Sequence, residues 1–268
     1  MAALAVLATV AAVGGYLAYH HIARAENGCQ AVGRYVVALD TEQAAIAATI
    51  AGVADARRLP PGAVTIAYAT AMQESKMHNL PSGDLDSVGV FQQRPSQGWG
   101  RPRQLADPVY ATGRFFAALV RVPRYLRIPL YRAAQDVQHS ADGYAYTNYQ
   151  VQAASMSRAF TGGRPHAVWC WFSASGPKPA QVGAIRRQLV RTFGNLTVRQ
   201  VNTASDPAAA VRIAYRSAGW TVASWLVTHA TAYGISDVRY AGYRWSETAG
   251  SKGWTRDRSA PSGSVELR

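Results

Sequence analysis

The sequence predicts an α+β chain in three parts: an N-terminal membrane segment, an all-helical domain, and a small α/β domain with a mostly antiparallel sheet. Residues 2–19 are apolar and uncharged. The stretch up to about residue 160 is rich in alanine and in helix-capping residues, and beyond it short aromatic or β-branched runs alternate with helical ones. Dividing the chain at the composition break 162–165 gives parts 1–25, 26–165 and 166–268.

The apolar run 2–19 has about the length that crosses the hydrocarbon core of a bilayer. It resembles a signal anchor or a signal peptide, although the usual basic residues before such a segment are missing. The alternative is a buried helical hairpin. We therefore expect an extracytoplasmic protein, either anchored in the membrane through this segment or secreted to the cell wall.

Cys29 and Cys170 are the only cysteines. In an exported chain an even pair usually forms a disulfide, whereas in a cytosolic one two unpaired buried thiols are the better interpretation. With export expected, the sequence predicts a Cys29–Cys170 bond that ties the start of the second part to the start of the third.

Capping residues and apolar periodicity define the helices of the second part. Asp40-Thr41-Glu42 opens a helix that runs to about Arg57, and Pro60-Pro61-Gly62 opens an apolar helix that runs past Met72. Further helices are expected from Asp107 onward, near 129–139 and over 143–160. The residues between these helices include one long loop, 76–106, which is where function is most often carried.

In the third part, short segments typical of strands alternate with segments typical of helices, which predicts helices packed on an antiparallel sheet. The predicted strands are 167–172, 196–201, 238–240, 243–245 and 264–267. The predicted helices are 179–193 and a second one capped by Asp206 that runs to about Tyr233.

The charge is strongly basic, with 28 Lys plus Arg against 15 Asp plus Glu and a net charge of +13. Such a balance favours an anionic setting such as wall polymer or a membrane surface. No block resembles a DNA-binding arm, so no nucleic-acid partner is expected. The densest basic stretch, 94–132, holds eight arginines opposed only by Asp107. It predicts either a groove for anionic wall groups or a solvated helix face.

Glu74 stands at the end of the apolar helix that Pro60-Pro61-Gly62 opens. An apolar surrounding penalises the ionised carboxyl and raises its pKa, which suits a general acid near neutral pH. The alternative is a glutamate that only hydrogen-bonds its own loop.

The residues after Glu74 favour the catalytic interpretation. Glu74-Ser75 followed by Ser87-x-Gly89-x-Phe91-Gln92-x-x-Pro95 resembles the signature of the lysozyme-like lytic transglycosylases. The wider pattern over residues 38–165 is similar to an exported actinobacterial group of that superfamily. The resemblance implies that Glu74 is catalytic and that the substrate-binding residues are Ser75, Ser87, Gly89, Phe91, Gln92 and Gln93. The family's Ala-Tyr-Asn-Ala-Gly segment has no match, and residues 134–140 stand at a comparable distance.

The activity implied by this resemblance is cleavage of the β-1,4 bond between N-acetylmuramic acid and N-acetylglucosamine in peptidoglycan glycan strands, with no cofactor. One carboxyl acts first as acid and then as base. A hydrolytic enzyme similar to goose-type lysozymes would need a second carboxylate, for which Asp84 and Asp86 are candidates, although both also suit a turn. A third possibility is a non-catalytic wall-binding or scaffolding protein with a lysozyme-like cleft.

The third part distantly resembles a C-terminal module of secreted actinobacterial wall hydrolases, whose last strand carries His-x-Asp-His-x-His for zinc. The corresponding end of this chain, 261–267, has no histidine, and His166 and His229 are isolated. We therefore expect a non-catalytic domain with no metal site.

Overall fold

The computed structural model describes residues 27–140, 143–173, 178–202 and 207–268. They form an α+β fold in which every strand pair is antiparallel. The predicted fold class is wrong in its all-helical second part, which contains strands, and its membrane segment is not supported by the described residues. Among the described residues, no helix has the length and apolarity that a membrane span requires. Residues 2–19, to which we assigned the membrane segment, lie outside the described residues.

The described residues form both helices and strands along the chain. They are β1 Gly28–Val32, β2 Val36–Leu39, α1 Thr41–Ala56, α2 Pro61–Ser75, α3 Pro102–Leu105, α4 Pro108–Leu119, α5 Leu130–Gln138, α6 Gln150–Phe160, β3 Val168–Trp171, α7 Val182–Phe193, β4 Val198–Asn202, β5 Pro207–Arg212, α8 Arg216–Thr228, α9 Ala230–Tyr233, β6 Asp237–Tyr240, β7 Tyr243–Ser246, β8 Thr255–Arg256 and β9 Ser264–Leu267. Short 3₁₀ helices lie at Pro95–Gln97, Gly143–Tyr149 and Glu247–Lys252.

A three-stranded sheet in the order β2-β1-β3 accompanies the first group of helices, so that part of the chain is not all-helical. Strands β1 and β2 were missed because each is short and β1 is completed by β3, far along the chain. Cys29 and Cys170 face each other in the β1–β3 register and are joined by a disulfide across 141 residues of sequence.

Helices α1 and α2 form the centre of the helical part. Asp40 caps α1: its Oδ1 accepts from the Gln43 backbone N–H at 2.8 Å, and Gln43 Oε1 accepts from the Asp40 backbone N–H at 3.1 Å. The hydroxyl of Tyr68 in α2 donates to the Ala47 carbonyl in α1 at 2.7 Å, which satisfies a polar group in a fully buried position. Helix α2 is buried on nearly all sides, against α5, α6 and the Gly143–Tyr149 segment.

A six-stranded sheet in the order β4-β5-β9-β6-β7-β8 occupies the C-terminal part, and α8 packs on β6 and β9. The helix predicted from Asp206 to Tyr233 is wrong. Residues 207–212 form β5 instead, and the helix begins only at Arg216. The alanines of β5 favour a helix locally, but β5 fills the place between β4 and β9 and is held by hydrogen bonds on both sides.

The helical part and the C-terminal part pack closely against each other. A Cβ atom on Gly52 of α1 would lie 2.6 Å from Thr192 of α7, so glycine is required for this approach. On the other side, the indole N–H groups of Trp245 and Trp254 donate to backbone carbonyls of β3, at 3.0 Å and 2.7 Å. Strand β3 lies beyond residue 165 but pairs with β1; the domain boundary at 165 stays a prediction.

Candidate active site

Glu74 is the last residue but one of α2, and its side chain is partly buried. Tyr146, in the Gly143–Tyr149 segment, donates its hydroxyl to Glu74 Oε1 at 2.6 Å. Burial raises the pKa of Glu74, against the hydrogen bonds from Tyr146 and Gln138, which stabilise the carboxylate. The result is a carboxyl with a raised pKa that is also oriented by two neighbours.

The turn after α2 is built around Gly89. Lys76 adopts a left-handed conformation that ends the helix, and Ser75 Oγ donates to the Val90 carbonyl at 2.8 Å, which ties the helix end to the turn. Gly89 has φ +81°, and a Cβ there would lie 2.4 Å from the Leu105 carbonyl oxygen. Only glycine fits this position, so the backbone of the turn is fixed close to the end of α2.

A polar cleft of about 600 Å³ opens beside Glu74. It is lined by Glu74, Asp84, Ser87, Gln92, Gln93, Arg94, Gln97, Trp99, Gln138, His139 and Ser140. Three buried side-chain oxygens of this lining have no hydrogen-bond partner within the described residues: Gln93 Oε1, Gln138 Oε1 and Ser140 Oγ. Buried polar atoms are normally satisfied, so unpartnered ones that line a cleft mark places where a ligand or water completes the hydrogen bonding.

Three of the predicted substrate-binding residues line this cleft: Ser87, Gln92 and Gln93. The Gln92 amide is held in place, because Nε2 donates to the Gly89 carbonyl at 2.9 Å and Oε1 lies 2.9 Å from Ser87 Oγ. Gln93 Nε2 donates to the Ala111 carbonyl at 3.3 Å. The cleft wall formed by these side chains is therefore rigid.

The other three predicted binding residues lie behind the cleft wall. Ser75 is buried and its hydroxyl faces the Val90 and Ala71 carbonyls. Phe91 is fully buried and stacks on Phe115, with 4.5 Å between ring centroids. Gly89 contributes only its backbone conformation. These residues position the wall and do not line it.

The two candidates for a second carboxylate, Asp84 and Asp86, differ in their surroundings. Asp84 lines the cleft, and in the described part of the chain its carboxylate makes no hydrogen bond or ion pair. Asp86 is outside the lining and accepts from the Ser96 backbone N–H at 2.8 Å, from Ser96 Oγ at 2.9 Å and from Arg94 Nε at 3.2 Å. These hydrogen bonds, the one from the Ser96 backbone first, lower the pKa of Asp86. Asp86 braces its loop, and only Asp84 is placed to face a ligand.

Several residues of the site were not found from the sequence. Gln138, His139 and Ser140 line the cleft and belong to the stretch 134–140, for which the sequence offered no motif. Tyr146 follows in a 3₁₀ segment, and no spacing to Glu74 singles it out. Trp99 is the one lining residue whose type alone could have indicated sugar binding.

No metal site was expected from the sequence, and this expectation stays a prediction. Among the described residues, no three His, Cys, Asp or Glu side chains come together as metal ligands would. His166 stacks on Tyr243 at 4.2 Å between ring centroids, and His229 stacks on Trp225 at 3.9 Å. Both imidazoles are therefore occupied in aromatic packing.

No protein-family model matches the chain, and a search of the curated proteins finds no match either.

Proposed function

We propose that this protein cleaves the glycan strands of peptidoglycan at the β-1,4 bond between N-acetylmuramic acid and N-acetylglucosamine, as a lytic transglycosylase with Glu74 as the general acid and base. The observation that carries the proposal is a carboxyl with a raised pKa on the wall of a polar cleft. A raised pKa increases the fraction of Glu74 that is protonated at a given pH, and proton donation to a leaving oxygen requires the protonated form.

The chemistry needs one protein carboxyl. Protonated Glu74 transfers its proton to the glycosidic oxygen as the bond from that oxygen to C1 of the muramic residue breaks. The ionised Glu74 then accepts the proton of the C6 hydroxyl of the same sugar, and the C6 oxygen bonds to C1. The product is a 1,6-anhydro end, and Glu74 is again protonated.

The rest of the cleft suits a sugar chain. Amide and hydroxyl groups of Gln92, Gln93, Gln138 and Ser140 offer donors and acceptors to sugar hydroxyl and acetamido groups. Trp99 is partly buried at the cleft edge and offers an aromatic face to a sugar ring. Carbohydrates expose both kinds of surface, so this mixture favours a glycan over a purely apolar ligand.

The setting we propose is extracytoplasmic, at the cell wall. The Cys29–Cys170 disulfide supports an oxidising compartment, since structural disulfides are rare in the cytosol. The net charge of +13 suits a polyanionic surrounding such as wall polymer.

The test is digestion of purified sacculi with the wild type and with Glu74→Gln, followed by mass spectrometry of the glycan ends. Glutamine keeps the shape of the side chain but has no transferable proton, so we expect 1,6-anhydro ends from the wild type alone and retained sedimentation with sacculi for both. If wild-type protein binds sacculi and leaves them uncut, the cleft acts as a non-catalytic clamp and the proposed activity is refuted.

A second candidate function, hydrolysis of the same bond, is favoured by the unpaired carboxylate of Asp84 in the cleft. It predicts reducing ends in place of anhydro ends and a large loss of turnover in Asp84→Asn. Asp86→Asn is the matched control, because that carboxylate is engaged within its own loop.

A further inference from the structure

The cleft beside Glu74 adjoins a second, basic hollow of about 410 Å³. Gln97, Trp99 and His139 line both spaces and form the boundary between them. The remaining lining of the hollow is Gly98, Arg114, Ala117, Ala118 and Arg121. No carboxylate belongs to this lining, in contrast to the cleft, which contains Glu74 and Asp84.

Arg114 of α4 and Arg121 of the turn that follows it are seven residues apart, about two helical turns, and both line the hollow along one side of this segment. The intervening positions are Ala117 and Ala118, which leave the space between the arginines open. Small residues at these positions leave room in the hollow for a ligand group between the two arginine side chains.

Both guanidinium groups keep hydrogen-bonding capacity for a ligand. Arg114 Nη2 donates to the Gly98 carbonyl at 3.1 Å, which fixes its direction, and its other donors have no acceptor among the described residues. Arg121 has neither a hydrogen bond nor an ion pair from its side chain to any described residue. The single acidic residue of the stretch 94–132, Asp107, is ion-paired with Arg191 of α7.

We propose that this hollow binds an oxyanion carried by the glycan strand, a planar carboxylate or a phosphate, while the neighbouring cleft holds the sugar backbone. Arginine donates to such groups through two parallel hydrogen bonds and is suited to both. This inference rests on the proposed function, because it requires that the cleft beside Glu74 binds a glycan strand. It adds the substrate class: strands that bear anionic substituents are preferred over bare ones.

Two sources on the wall carry this chemistry. One is the carboxylates of the peptide attached to muramic acid, which lie next to the bond that is cut. The other is the phosphates of wall polymers attached to the same strands. The hollow binds the shared chemical group, and substrates that carry one source at a time distinguish between the two.

The test compares the wild type with the double variant Arg114→Gln/Arg121→Gln on three substrates: bare glycan strands, strands with peptides only, and strands with phosphate polymer only. Sedimentation gives binding and end-group analysis gives turnover. Arg103→Gln/Arg132→Gln is the matched control, since it removes the same charge from exposed positions outside both linings.

We expect the wild type to bind one class of substituted strand roughly ten-fold more tightly than bare strands, the effect of one or two charge-assisted hydrogen bonds. The double variant should lose this preference and bind bare strands as the wild type does, and the control should keep it. The preference should also weaken with added salt, because partly exposed charges are screened.

Equal losses on all three substrates, or equal behaviour of the two double variants, would overturn the inference. Failure of the proposed activity gives a different result: no cut ends from any substrate, with the binding preference still measurable. If the wild type binds none of the three, glycan binding itself is refuted and the inference is refuted with it.

Discussion

At the scale of the single residue, the protonation of Glu74 is a balance between burial and hydrogen bonding. Burial raises its pKa, and the hydrogen bonds from Tyr146 and Gln138 lower it. A carboxyl that is held too strongly as the anion cannot donate a proton, and one that is buried without partners cannot easily release one. The hydroxyl of Tyr146 therefore affects how readily Glu74 changes between its protonated and its ionised form.

We expect Tyr146→Phe to raise the pKa of Glu74 further, because the variant removes a donor to the carboxylate while keeping the ring. A general acid is active when protonated, so the alkaline limb of the pH–rate profile should move up by about half to one pH unit. Tyr149→Phe is the control, since the Tyr149 hydroxyl contacts Lys76 and not Glu74. An unmoved limb in Tyr146→Phe would show that Glu74 does not govern the profile.

His229 makes stability depend on pH. Burial lowers its pKa from 6.5 to about 4, so the folded protein holds the imidazole neutral while the unfolded chain binds a proton below about pH 6.5. The stabilising effect is therefore complete above pH 6.5 and is lost as the pH falls toward 4, by about 3 kcal/mol in total.

Urea denaturation between pH 7.5 and pH 4 checks this, with His229→Gln expected to flatten that part of the pH dependence. Parallel curves for His229→Gln and the wild type would contradict the assignment.

The residues of the site differ in how well the sequence alone predicts them. Glu74 and Gln92 stand in a spaced motif with a physical meaning, so they were predicted. Tyr146 reaches Glu74 from 72 residues away, and Gln138 from a different helix, so their roles depend on tertiary packing that no local pattern records. Asp84 and Asp86 look alike in sequence, and only the hydrogen bonds from Ser96 and Arg94 distinguish them.

At the scale of the element, the turn at Gly89 connects helix packing to the cleft. We expect Gly89→Ala to destabilise the protein by about 2 kcal/mol or more, because the new methyl group meets the Leu105 carbonyl and also strains a left-handed backbone. Gly242→Ala is the control: it has φ +85° but no atom within 4 Å, so it should show the backbone cost alone, about 1 kcal/mol.

Thermal denaturation of both variants, together with glycan binding, checks this prediction. Equal losses of stability in the two variants would mean that the Leu105 contact is relieved by movement of the loop.

Helices were predicted better than strands, and the reason is local. The caps Asp40 and Asp107 are both present in the structure, where they accept from backbone N–H groups of the first helical turn. Strands β1 and β2 hold only five and four residues, and β1 depends on a partner from the other end of the helical part. The alanines of β5 were assigned to a helix because local propensity favours it, and sheet pairing overrides that propensity.

At the scale of the whole molecule, the disulfide joins the two ends of the helical part through adjacent strands. Replacement of both cysteines by serine should cost roughly 3–5 kcal/mol, since the bond closes a long loop in the unfolded chain. Chemical denaturation of the oxidised wild type and of Cys29→Ser/Cys170→Ser measures this. A free energy of unfolding equal in both proteins would mean that β3 is held by Trp245 and Trp254 without help from the bond.

The β1–β3 pairing joins two strands that are synthesised at different times. Cys29 precedes Cys170 by 141 residues, so at about 5–20 residues per second its partner is synthesised roughly 7–28 s later. During that interval β1 has only β2 as a neighbour, and its other edge is open to foreign strands. In an oxidising compartment the early thiol can form mixed disulfides, which the later cysteine must displace by exchange. Helix α2 and the turn that follows it lie between the two cysteines, so the wall of the Glu74 cleft is synthesised before the sheet β2-β1-β3 can close.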